Sequence, residues 1–185
     1  MTGWELPTEV EVCGRSFALR SDFRAVLDAL AALNDPSLSD PEKLLCVLQI
    51  LFPDWQLLPD AAEAWRAAMV WINLGKEPTS NQPPKPQLVD WEQDAELIAP
   101  AVDQVLGYSC RQSKYLHWWE FIGAYSSIGR SRFAEVVNIR NKKARGKPLD
   151  KAEQEFAREN AELVALPGSR LTGEEEEFFR RLGVL

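Results

Sequence analysis

The sequence predicts a mainly α protein, a multi-helix bundle with a small β-hairpin near its N-terminal end. Three observations carry this. Apolar residues recur at helical spacing through most of the 185 residues. Cap and stop residues stand where those patterns begin and end. Strand-like alternation occurs once, in "VEVCGRSFAL" at residues 10–19.

The alternating stretch folds around Cys13-Gly14, where a glycine that accepts positive φ suits a two-residue hairpin turn. A lone hairpin is marginal and must lean on another element. Helices follow. Ser21 can cap "DFRAVLDALAAL", whose Phe23, Val26, Leu27 and Leu30 share a face. Asp40 can cap "PEKLLCVLQILF", with Pro41 at the first helical position. Asp60, with Glu63 three residues on, opens "AAEAWRAAMVWINLG", which stops at Gly75. The sequence thus divides into a hairpin plus three helices at 1–75, a connection at 76–90, a helical block at 91–166 and a helical tail at 167–185. The connection holds four of the twelve prolines and reads as an extended surface segment.

In the second block, Trp91, Ala95, Ile98, Val102 and Val105 form a stripe that Pro100 should kink or divide. "KYLHWWEFIGAYSSIG" at 114–129 is apolar nearly all round as a helix. Tyr115, Trp118, Ile122 and Tyr125 share one face, and His117, Phe121, Ala124 and Ile128 share another. It reads as the buried central helix of that block. Asp150 and Glu153, then Thr172 and Glu175, are capping pairs for the last two helices.

The chemistry-bearing residues are few. His117 is the single histidine, beside two of seven tryptophans. No nucleophile elbow or zinc-protease motif accompanies it, so it reads as a core histidine and the chain as a non-enzyme. Cys13, Cys46 and Cys110 are scattered and odd in number, and read as reduced thiols serving as small apolar residues. No metal site and no cofactor is expected. No apolar run is long enough to span a bilayer, and the start "MTGWELPTEVEV" lacks the pattern of an export signal, so cytoplasm is expected.

On "FAEVVNIRNKKAR", Phe133, Val136, Val137 and Ala144 form the apolar stripe, and Arg140 falls within it. A buried guanidinium needs a carboxylate, here Asp94 or Asp90; otherwise it snorkels outward. Arg130, Arg132, Lys142, Arg145 and Lys147 belong to the densest basic stretch. With a net charge of −7 and no stacking aromatics interleaved, since Phe133 belongs to the apolar stripe, that stretch reads first as a solvated face, then as a surface for a protein partner, and last for nucleic acid. Phe178, Phe179 and Leu182 form an apolar strip near the end that suits docking on the body or on a partner.

The blocks "DWEQD", "YLHWWEFIGAY" and "IRNKKARGKPLDK", in that order, resemble the bacteriophage gene-product-fifteen family of phages and prophages of Gram-positive bacteria. The resemblance runs from about Leu6 to Leu166. Trp91, His117, Trp118, Trp119, Arg140 and Lys143 fall on its motif positions; with Asp94 these are read as core or pairing residues, Lys143 excepted. Family genes typically sit among tail genes, before the tape-measure gene. The resemblance therefore implies a tail morphogenesis protein in the host cytoplasm, an assembly chaperone binding the tape-measure or another tail protein. The alternatives are a structural virion component, such as an adaptor at the head–tail joint or tail terminus, and then a nucleic-acid-binding protein. Homo-oligomerisation stays open.

Overall fold

The computed structural model describes residues 4–77 and 86–166. The chain is mainly helical with an N-terminal two-stranded hairpin, in the order β1 (Glu9–Val12), β2 (Arg15–Ala18), α1 (Phe23–Asn34), α2 (Asp40–Leu51), a 3-10 turn (Trp55–Leu57), α3 (Ala61–Ile72), α4 (Ala95–Leu106), α5 (Trp118–Ser126), α6 (Arg132–Ala144), α7 (Lys151–Glu159) and α8 (Ala161–Val164). Two compact units form. The first takes described residues 4–77 and 102–127, the second 86–101 and 128–166.

In the first unit the hairpin closes through Cys13 and Gly14, at φ +50° and +72°. Both central residues of the turn are left-handed, the geometry that matches strand twist. The antiparallel register sets Val10 opposite Phe17 and Val12 opposite Arg15. β1 rests on α3, which packs on α2, and α2 packs on α1. α5 also packs on α1. The core includes Val12, Val26, Val47, Leu51, Phe52, Ala64 and Ala68. α3 has the expected cap, the Asp60 carboxylate accepting from Glu63 N at 2.7 Å. It ends at Ile72, before Gly75, because Leu74 and Gly75 already carry positive φ.

Several sequence expectations shift. The cap of α1 is Asp22, whose Oδ1 accepts from Arg24 N at 3.0 Å. Ser21 is instead occupied with the Tyr115 hydroxyl at 2.8 Å. Ala29 is buried on α1, whereas Leu27 and Leu30 are half-buried. α2 is capped by Ser39, whose N–H and hydroxyl both donate to Glu42, so Asp40 is already helical. The stretch 114–128 is not one helix. Residues 114–116 are non-helical and Tyr115 is exposed, because this segment pairs with residues 21–23: Phe23 N donates to Leu116 O and Trp118 N to Ser21 O. The resulting α5 is short, belongs to the first unit and packs on α1.

In the second unit α6 packs against α7 and α8, and α7 against α8. Asp150 and Glu153 form the expected reciprocal capping box on α7, each bond 2.9 Å. Asn160 then interrupts the helical run, separating α7 from α8. Residues 95–101 of α4 belong to this unit and 102–106 to the first. The sequence expects Pro100 to kink or divide α4; it does not divide it, and the helix runs on through the proline. The proline is exposed, as is Val105 at the far end of the expected stripe. On α6 Ile139 is buried and Ala144 exposed, so Ile139 completes the stripe with Phe133, Val136 and Arg140. Most of the proline-rich connection, Thr172 and Glu175, and Phe178, Phe179 and Leu182 lie outside the described residues.

Candidate functional site

His117 caps α5. It precedes α5 with extended backbone, and its Nδ1 accepts from Trp119 N at 3.0 Å. With Nδ1 an acceptor, Nε2 carries the proton and donates to Pro7 O at 3.1 Å. The ring is 1% exposed and both nitrogens are engaged by backbone, so neither is offered to a substrate. Trp71 Nε1 donates to the same Pro7 carbonyl at 2.7 Å. Trp118 and Trp119 donate to Ile72 O and Trp71 O at 2.8 and 2.9 Å. Two consecutive tryptophans thus bond to the last carbonyls of α3; Trp71 O also accepts from Leu74 N at 3.1 Å. Phe23 and Phe121 stack at 4.4 Å, and Trp118 stacks on Phe121 at 5.9 Å.

A second polar node, not foreseen in the sequence, joins α1 to the loop before α5. Asp22 Oδ2 accepts from Leu116 N at 3.0 Å, and Arg24 grips both Asp22 oxygens. Arg24 Nη2 also donates to Cys110 O and Ser113 O at 3.0 and 2.8 Å. The only advance signal was an acidic residue two positions before an arginine at a helix start.

Arg140 is the most completely bonded charge described. Its guanidinium meets Asp94 through two bonds, Nη1 to Oδ2 at 2.6 Å and Nη2 to Oδ1 at 2.9 Å. Nη1 also donates to Leu88 O, Nη2 to Leu163 O and Nε to Val164 O. All five N–H donors of the side chain are therefore used. Asp94, not Asp90, is the partner. Asp90 contributes its backbone N–H to Asp94 Oδ2 at 3.0 Å. Arg140 and Asp94 are 4% and 1% exposed, so the ion pair is buried. Gln93 adds a bond to Ala165 O at 2.6 Å. Trp91 is half-buried nearby in sequence.

The basic stretch divides in two. Lys142 is paired with Glu153 at 2.5 Å, and Arg132 donates to Asn160 Oδ1. Arg130, Lys143, Arg145 and Lys147 are exposed. The Lys142 ammonium, then the Asp150 N–H, hold the Glu153 carboxyl below the usual glutamate range. A lowered folded pKa gives stability that is present above the ordinary value of 4.5 and lost as the pH falls through the folded value. Glu153→Gln should therefore lower the melting temperature at about pH 7 by more than at about pH 3.5. Equal losses at both pH values would contradict this linkage.

The thiols are not alike. Cys13 is exposed and bonded to Glu63 through both N–H and Sγ, so it is not a small apolar filler. The Glu63 carboxylate beside it raises its pKa. Cys110 is buried, and burial, then the Asp103 carboxylate, push its thiol up to about 11. Among the described residues no group of three His, Cys, Asp or Glu side chains is placed to hold a metal ion. No described helix is long and apolar enough to cross a membrane. The described residues form apolar hollows on the surface. One of about 250 Å³ lies between β1 and α3, and one of about 350 Å³ is lined by Lys143, Ala157, Ala161 and Val164.

Buried polar groups that serve the chain's own backbone, with hollows left open on the surface, define a helical scaffold. Residues 4–166 match the family described as Bacteriophage Gp15 protein, and the chain belongs to that family. It is a phage structural or morphogenesis protein. No curated protein and no solved structure matches the chain.

Proposed function

We propose that this protein is a tail assembly chaperone that binds the tape-measure protein in the host cytoplasm and has no enzymatic activity of its own. The observation that carries this reading is the family match over residues 4–166. The surface supports it. Trp4 is 96% and Leu57 64% exposed, and Leu6 and Leu45 are also exposed, offering apolar contact to a partner's helix faces. Nucleic acid is a weaker fit to the basic stretch, since Arg132 and Lys142 already have intramolecular partners.

Co-expression with the tape-measure protein of the same genome, followed by affinity pulldown, tests it. The expected result is a soluble tape-measure protein that co-purifies. An insoluble tape-measure protein, together with this chain in purified virions, would replace the chaperone role with that of a structural component.

A further inference from the structure

We infer that the free edge of β1 and the hollow beside it form a docking site for an extended, basic segment of a partner protein, which adds a strand to the hairpin. This goes beyond the chaperone reading and does not depend on it.

The argument starts from ladder phase. Leu19 N donates to Thr8 O at 2.8 Å, and the register pairs Glu9 with Ala18 and Glu11 with Ser16. Bonded pairs alternate along an antiparallel ladder. The N–H and C=O of Glu9 and Glu11 therefore face away from β2. β1 pairs only with β2, and no described residue bonds to those four groups. They leave a short stretch of edge open to a further strand, between Pro7 O, bonded to Trp71 and His117, and Cys13 N, bonded to Glu63.

The surroundings choose the occupant. Beside β1 lies the hollow of about 250 Å³ walled by Ala67, Val70, Trp71 and Trp119, which can receive apolar side chains. Its rim carries Glu9, Glu11 and Glu77. The cation on that rim, Arg66, is paired with Glu77 at 2.9 Å. A second copy of β1, reading Glu-Val-Glu-Val, would set carboxylates against carboxylates, which is unfavourable across a strand pair. A strand alternating basic and apolar residues meets the carboxylates with one face and the hollow with the other.

The test is fluorescence anisotropy of the full chain with a labelled peptide of alternating lysine and valine. Binding is expected, with a loss of about tenfold or more in affinity for Glu9→Lys with Glu11→Lys, and likewise for Ala67→Phe, which fills the hollow. A peptide N-methylated at alternate amides should lose binding similarly, because it cannot complete the ladder. Equal binding of the N-methylated peptide would reduce the contact to bulk charge attraction and overturn the proposal. Sedimentation showing a dimer that Glu9→Lys with Glu11→Lys disrupts would overturn it too, by assigning the edge to a second copy. Tape-measure pulldown by the Glu9→Lys, Glu11→Lys variant separates this site from the chaperone role. Retained pulldown leaves that role standing on another surface.

Discussion

Arg140→Met is expected to destabilise the second unit by about 3–5 kcal/mol. The substitution leaves Asp94 buried without its cation and removes the donors that serve Leu88, Leu163 and Val164 carbonyls. Whole-domain stabilities are about 5–15 kcal/mol, so this is a large share. Trp91 is the single tryptophan of that unit and reports on it by fluorescence during urea unfolding. Asp94→Leu should cost a similar amount, by stranding the guanidinium. The double variant should recover part of the loss, because no buried charge is left alone. An unchanged unfolding midpoint for Arg140→Met would show that the ion pair adds nothing to stability.

The second large effect is in the first unit. His117→Ala should cost about 2–4 kcal/mol, from the lost cap, which leaves the Trp119 N–H unpaired, and from the cavity left by the ring. His117→Asn keeps a cap acceptor but gives up the bond to Pro7, and should fall between wild type and alanine. Thermal unfolding followed by circular dichroism checks both. Equal midpoints for wild type and His117→Ala would refute the capping role.

What the sequence shows and hides follows from distance along the chain. The hairpin turn, the Asp60 cap and the Asp150–Glu153 box are local chemistry, and each stands where its residues predict. Arg140 was also legible, because a charge on an apolar stripe demands a partner; the choice of Asp94 over Asp90 needed the fold. The cap of α1 was not legible. Ser21 and Asp22 are both good caps, and Ser21 is taken by Tyr115, far away in the chain. Nor was the start of α5. An apolar run reads as one helix until residues 116–118 are seen pairing with residues 21–23. The role of His117 was hidden for the same reason, since its partner at Pro7 comes from the opposite end of the unit.

That pairing has a consequence for synthesis. Leu116 N and the Asp22 carboxylate that receives it are 94 positions apart. A ribosome releases the first three helices well before it supplies the segment that seats α1 and stacks Phe121 on Phe23. At about 5–20 residues per second, the early helices wait several seconds with part of their apolar surface uncovered. The first unit therefore finishes folding late, when residues 116–121 leave the exit tunnel. Its yield in the cell should depend on how quickly the middle of the message is translated.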